Sequence, residues 1–381
     1  MTRRLAAIDG LRTLAVLAVI GVHVGLSRFA GGAAGVDVFF VISGFVITGV
    51  LLRELDATGT VSIKRFYLRR LLRLWPVLAL ACAVAVVLAV ALPNGIFGDH
   101  VGQIPAALFY VMDFTRMQLP YHAAISATLT HTWSLAIEEQ FYLVWAPLFL
   151  IVAVRMRKLR ALQWITITVI VAVVAERFLL YKGLVPSSNR IYNGPDTRAD
   201  QLMLGCLLAL VLHRRPALRT SETLRRSLSV LAPLSAAFLV AIVALVPIDG
   251  PPRYAHFYLT IGMTIVALAA AILIASTVVL ERGPLTRLLG ARWLSVPGRQ
   301  WSYSMYIWHF PITFGLKAYL HTSAPVTFAI VLPATVAAAI ATRALVENRC
   351  DRLRARLEMA APSAASDDRS PLLPLLRADT A

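Results

Sequence analysis

The stretch IDGLRTLAVLAVIGVHVG, residues 8–25, decides how this chain is read. It is a run long enough and apolar enough to cross a hydrocarbon core, yet it carries Asp9, Arg12 and His23. Ionisable groups inside a membrane span are costly and mark functional sites by default. Eleven residues at about 100° each bring Arg12 and His23 back to nearly one face, about 16 Å apart along the axis. Asp9 falls within about 40° of that face. A histidine takes and returns a proton near neutral pH. An imidazole aligned with a cation and an acid points to proton chemistry or anion handling within a bilayer.

Working outward, similar runs recur along the whole chain. Of its 381 residues 58% are hydrophobic, and the mean hydropathy is +0.71. That excludes a soluble globule and predicts an all-α polytopic membrane bundle of about ten transmembrane helices. The predicted spans are 11–29, 36–53, 74–93, 133–154, 161–181, 199–213, 228–247, 256–280, 301–321 and 325–346. The net charge of +17 would suggest nucleic acid in a soluble protein. Here the positive-inside rule explains it, so no nucleic-acid partner is expected.

The same rule sets the topology. With the stretch 103–115 kept out of the count of crossings, inner segments hold 28 of the 37 basic residues and outer segments six. If that stretch crossed, every later loop would change sides and the bias would collapse. It is therefore expected as a re-entrant or interfacial piece on the outer face. Both termini are expected to be cytoplasmic, in a multi-pass protein of the plasma or inner membrane. The first run lacks a small-residue cleavage site and is read as retained. Residues 1–346 form the expected membrane unit. Residues 347–381 form a tail that starts basic, suited to anionic lipid, and ends disordered. Cys82, Cys206 and Cys350 show no paired spacing, so neither a disulfide nor a zinc site is expected, nor any other metal site. Only four of the 37 basic residues are lysine, a coding bias that suggests a GC-rich bacterial genome.

Other ionisable groups join His23. GGAAGVDVFFVISGFVIT (31–48) opens the second span, with Asp37 at its edge, where a carboxylate could orient a histidine at that depth. Ser43 and Gly44 sit mid-span and suit close helix packing. SIKRFYLRRLLRLWP (62–76) repeats arginine at 65, 69 and 73, with Arg70 alongside. Guanidinium groups bind phosphate bidentately, so this is a candidate cradle for a phosphorylated substrate, or simply a topology signal. HTWSLAIEEQFYLVWAPL (131–148) puts Ser134, Glu138 and Tyr142 on one helical stripe. It leaves Glu139 to face another helix or water, and His131 just outside the span. PDTRADQLMLGCLLA (195–209) places Asp196, Arg198 and Asp200 at the outer mouth, where a salt-bridge cluster would fix helix ends. WSYSMYIWHFPI (301–312) carries Ser304, Tyr306 and His309, and Pro311 frees a backbone carbonyl near His309.

Taken together and in this order, these motifs resemble the membrane-bound acyltransferase-3 family of O-acyltransferases over nearly all of residues 5–346. The resemblance implies ten spans, a cytoplasmic acyl-CoA donor (acetyl-CoA foremost) and an acceptor hydroxyl, usually on a carbohydrate. It implies His23 as the catalytic histidine with Arg12 as its basic partner. It also implies Arg69, Arg70 and Arg73 as the cytoplasmic basic motif, and Glu138 and Tyr142 as the acidic motif. Many relatives carry a hydrolase-like domain after the last span, so this chain is expected to act alone or with a separate partner.

The expected mechanism docks the CoA phosphates on Arg69, Arg70 and Arg73, with Tyr142 in the same donor site. The pantetheine arm delivers its thioester near His23, the general base, and Asp37 or Glu138 orients the imidazole. No permanently bound cofactor is expected. The acceptor is a glycan or glycosylated small molecule, either a surface polysaccharide or a macrolide-type antibiotic of an actinomycete. A proton-coupled transporter or flippase for a saccharide or lipid-linked intermediate uses the same intramembrane charges and is the alternative. The oligomeric state is not legible in the sequence.

Overall fold

The computed structural model describes residues 3–92, 98–118, 128–183, 188–247 and 256–359, and among these there is no β-strand. The expected disordered end of the tail, from 360 on, lies outside them. The long helices are α1 (Arg3–Val24), α2 (Ala34–Thr58) and α3 (Ile63–Ala91). Two short helices, α4 (Ile104–Leu108) and α5 (Met112–Gln118), follow. Then come α6 (Trp133–Phe149), α7 (Leu159–Gly183), the short α8 (Ser188–Asn193), α9 (Ala199–Arg214) and α10 (Glu222–Leu245). The chain closes with α11 (Met263–Val279), α12 (Pro284–Leu289), α13 (Arg292–Gln300), α14 (Ser302–Tyr319), α15 (Ala324–Thr342) and α16 (Asn348–Met359).

Eight helical stretches are long and apolar enough to cross a membrane. The two other expected crossings exist as helices but fall short of that standard. α9 has 16 residues, about 24 Å at 1.5 Å per residue against a core of about 30 Å. α14 has 18 residues and is rich in Ser, Tyr, Trp and His. Both are largely enclosed by neighbours, and so need less apolar surface than a lipid-facing helix. α1, α2, α9 and α11 form the interior of the bundle, while α7, α10 and α15 present most of their surface outward.

Small residues set the closest approaches. A Cβ on Gly44 of α2 would lie 1.9 Å from the Leu202 carbonyl oxygen, and one on Gly205 of α9 would lie 2.1 Å from that of Val41. The two helices therefore touch backbone to backbone, the close approach expected of glycine in membrane helices. α1 makes a similar contact lower down. Gly10 meets the Leu289 carbonyl and Gly298 meets that of Asp9, and Thr13 Oγ1 donates to Leu294 O at 2.5 Å. Residues 281–299, read from sequence as an inner loop, instead form α12 and α13, folded up against the first half of α1. Pro284 at the start of α12 and buried Leu289 and Leu294 account for this.

Other boundaries move as well. The first span ends at Val24 rather than 29, so His23 stands at the end of its helix. The third span starts before 74, so the arginine motif lies in the first turns of its helix: Ser62 caps α3 by accepting from the Arg65 N–H at 3.3 Å. Residues 103–115 do not form a spanning helix. They are broken into a 3₁₀ turn, α4 and α5, with Tyr110 at φ 54° between the two helices.

Candidate functional site

Three histidines from three parts of the chain meet beside α1. His309 Nε2 and His23 Nδ1 are 3.0 Å apart. His131 lies beside them, its ring centroid 5.4 Å from that of His309, and it stacks on Phe310 at 5.0 Å. Phe310 also packs edge-on against His23 at 4.9 Å. His131, expected at the outer surface, is 1% exposed.

Backbone carbonyls determine which nitrogens carry protons. His309 Nδ1 is 2.6 Å from Tyr306 O. A carbonyl only accepts, so Nδ1 carries hydrogen and Nε2 of the neutral ring is an acceptor. His23 Nδ1 must then donate to it, which leaves His23 Nε2 as that ring's lone pair. His131 Nε2 lies 3.1 Å from Ile307 O and donates to it. That carbonyl is free because Pro311, four residues on, has no N–H to offer it; the kinked helix thus supplies the anchor for His131. His131 Nδ1 is buried and has no hydrogen-bond partner among the described residues. Tyr306 extends the cluster by donating to His131 O at 2.9 Å and sharing a 2.6 Å hydrogen bond with Ser134 Oγ. Lys317 Nζ caps the end of α1 by donating to His23 O at 2.9 Å.

A second polar group sits further along α6. Glu138 accepts from Ser43 Oγ at 2.9 Å and from Tyr142 OH at 3.4 Å. Arg70 lies over the Tyr142 ring at 3.6 Å and holds Glu139 at 2.8 Å. Arg12 pairs with Asp9 at 3.7 Å and is close enough for its charge to act on Glu138. The stripe Ser134–Glu138–Tyr142 therefore joins the histidine cluster to the basic motif of α3, over about 12 Å of helix.

Two expectations are corrected by these contacts. Neither Asp37 nor Glu138 orients His23. Asp37 is buried against Arg198 at 2.7 Å and Tyr258 at 2.5 Å, and Glu138 is engaged with Ser43 and Tyr142. The ring of His23 lies instead against His309 Nε2 and also bonds the Val19 backbone. The arginines of α3 do not form one cradle. Arg70 turns inward to Glu139, Arg69 bonds Glu54 at 3.2 Å with Arg65 beside it at 4.0 Å, and Arg73 is exposed. Residues 69 and 73 lie about 40° apart on the helix and 70 about 100° from 69, and Arg70 and Arg69 are held by separate carboxylates. Glu139 does face another helix, as expected.

Asp196, Arg198 and Asp200 also divide. Asp196 pairs with Arg190, Arg198 with Asp37, and Asp200 with the buried Arg177 of α7 at 2.8 Å. Burial raises the Asp196 carboxyl, but the Arg190 guanidinium and the Thr197 N–H outweigh it and hold the carboxyl below its ordinary range. Arg116 of α5 escaped sequence reading because it looked like a loop charge. It is 7% exposed, lies over the Trp133 ring at 5.5 Å, and its charge acts on both His23 and His131.

The profile of a family described as an acyltransferase domain matches residues 5–344 of this chain. The chain is 34% identical over 347 residues to a putative peptidoglycan O-acetyltransferase of Bacillus subtilis (strain 168), covering 89% of this chain and 53% of that protein. It is 35% identical over 316 residues to a peptidoglycan O-acetyltransferase of Listeria monocytogenes, covering 80% and 49%. A putative O-acetyltransferase of Staphylococcus aureus (strain COL) is 30% identical over 329 residues, covering 83% and 52%. The chain thus spans about half the length of these curated relatives. No solved structure matches it.

Proposed function

The chain belongs to the acyltransferase-3 family, and on that premise we propose that it moves an acyl group, acetyl foremost, from acyl-CoA to a hydroxyl of a glycan. Peptidoglycan is the acceptor that the relatives' names suggest. The observation that carries the reading is the His23–His309 pair, which leaves a lone pair on the largely buried ring of His23. In this reading His23 Nε2 takes the proton of the acceptor hydroxyl as its oxygen attacks the thioester carbonyl. The C–S bond breaks, and the departing thiolate takes that proton back from the imidazolium as CoA–SH. His309 holds the ring and its tautomer, and Arg116 supplies positive charge near the oxyanion.

The donor enters from the basic side of α3, with Arg69 and Arg73 facing the phosphates while Arg70 and Tyr142 hold α3 to α6. The polar stripe of α6 offers the pantetheine arm a hydrogen-bonding path toward the histidines. Ten crossings with both termini on the donor side complete the reading. A transporter is not favoured, because the buried carboxylates Asp37 and Asp200 are each held by an arginine in a fixed pair. A macrolide acceptor finds no support in the relatives' names.

The test is release of CoA thiol from acetyl-CoA by protein purified in detergent, with and without soluble peptidoglycan fragments. Acceptor-dependent release that His23→Ala abolishes, in protein that still inserts, is the expected result. Wild-type release by His23→Ala would remove the histidine from the mechanism.

A further inference from the structure

Two basic inner loops that are far apart in sequence converge on one groove. The chain leaves α6 through a π-helical segment, Leu150–Arg155, and turns sharply. Arg157 takes φ 53°, a left-handed conformation that an L residue adopts only when the surroundings hold it there. Lys158 N–H bonds back to Val152 O at 2.9 Å, and α7 begins at Leu159. From the end of α9, Arg214 reaches across and bonds the Gln163 side chain on α7. The result is a groove of about 550 Å³ lined by Arg157, Lys158, Arg160 and Arg214, with Leu159, Ala161 and Trp164. It holds four cations and no carboxylate.

The groove does not end in water on every side. Trp164 is exposed, and Ile167 and Val171 continue its exposed face one and two turns along α7. α7 is among the least buried of the membrane-length helices. A patch of cations at one end of an apolar, outward-facing ridge, with a tryptophan at the junction, matches the cross-section of a phospholipid. The cations meet the phosphate, the indole sits at headgroup depth, and the acyl chain lies on the ridge. Neither His23 nor any residue of the α3 motif lines the groove.

We propose that this groove binds the phosphate headgroup of one anionic phospholipid, with an acyl chain laid along Trp164, Ile167 and Val171. Free phosphate or a CoA nucleotide presents the same anion without the chain, and the ridge is the reason to choose the lipid.

The experiment reconstitutes the purified chain in nanodiscs of phosphatidylcholine with one-fifth phosphatidylglycerol, extracts it in mild detergent and counts retained phosphatidylglycerol by native mass spectrometry. Wild type should retain one tightly held molecule that neither millimolar inorganic phosphate nor CoA displaces. Arg157→Gln/Arg160→Gln/Arg214→Gln should lower retention about 100-fold, taking roughly fivefold per cation near an anionic surface. The Arg→Lys triple should keep it. Trp164→Ala should weaken phosphatidylglycerol retention while leaving any binding of inorganic phosphate unchanged. Equal retention by the Gln triple would place the lipid elsewhere and overturn the proposal, as would displacement by phosphate or CoA. Acyl-CoA turnover in the Arg→Lys triple is a separate readout, so a failure of the acyl-transfer reading leaves this test intact.

Discussion

Replacing His309 with phenylalanine asks whether the second imidazole fixes a tautomer or only fills space. The ring volume is kept, and the 3.0 Å contact from His23 Nδ1 loses its side-chain acceptor, leaving only the Val19 backbone to bond the ring. If His309 merely steadied the ring, the loss would be that of one hydrogen bond, about 1 kcal/mol or roughly fivefold in rate. If it holds the proton on Nδ1, the freed ring can place its proton on Nε2, the nitrogen that must accept from the hydroxyl. The base is then lost in that fraction of molecules and misaligned in the rest. General-base contributions of about 10²- to 10⁴-fold set the scale. The expected loss in kcat is therefore at least 100-fold, with KM for acetyl-CoA unchanged, since no donor contact is touched. His309→Gln supplies an amide oxygen to the same N–H and should recover activity to within about tenfold of wild type. The assay is CoA thiol release in detergent, with thermal melting to verify the fold. A loss under fivefold in His309→Phe, or no difference between Phe and Gln, would refute the tautomer argument.

Three more outcomes follow from the packing. Arg198→Ala leaves the Asp37 carboxylate buried and unpaired and should destabilise by about 3–5 kcal/mol, read as a lower melting temperature. Arg198→Met with Asp37→Leu should recover most of that stability, and a double variant no better than the single would argue against the pair. Gly44→Ala drives a methyl group into the Leu202 carbonyl and should lower the yield of folded protein, whereas Ser43→Ala should leave folding intact; equal yields for the two would contradict the backbone contact. The Asp196 carboxyl is held below its ordinary range by Arg190, so its contribution is present above the unfolded value of about 3.9 and is lost as pH falls further. Asp196→Asn should flatten the melting-temperature profile below about pH 4 and lower its plateau above; an unchanged profile would show that the pair contributes nothing.

The residues that make the site were legible one helix at a time. The 3.6-residue repeat placed Ser134, Glu138 and Tyr142 on one stripe, and Pro311 announced a free carbonyl near His309. The partners were not legible, because they lie far apart in the chain. His23 and His309 are 286 residues apart, and Asp37 and Arg198 are 161 apart. A span pattern fixes depth and face but says nothing about which helices adjoin. That is why a carboxylate at matching depth was the expected partner of His23, while another imidazole lies against it. Polarity misled in residues 281–299: α12 and α13 bury one side under α1 and leave arginines and Trp293 on the other, and such a pattern reads as a loop when only long apolar runs are sought. Arg116 was hidden for the same reason, on a helix of 7 residues.

The buried polar groups then sort into two kinds. Arg177 with Asp200, Arg198 with Asp37 and Arg70 with Glu139 are ion pairs, each tying one helix to another. Such pairs cost desolvation, and in two of them a buried guanidinium nitrogen, Nε of Arg177 and Nε of Arg198, has no hydrogen-bond partner among the described residues. The histidine cluster holds imidazoles instead of ion pairs. Its proton-bearing nitrogens are all taken up, by Tyr306 O, Ile307 O and His309 Nε2, and its remaining nitrogens are acceptors: His23 Nε2 and His131 Nδ1, which is buried and without a partner among the described residues. A buried acceptor left without a donor costs about 1–3 kcal/mol, a cost removed only when something bearing an O–H or N–H arrives. A hydroxyl acceptor is such a group. In the proposed reading the acceptor hydroxyl arrives there beside His23, with the charge of Arg116 acting on both rings.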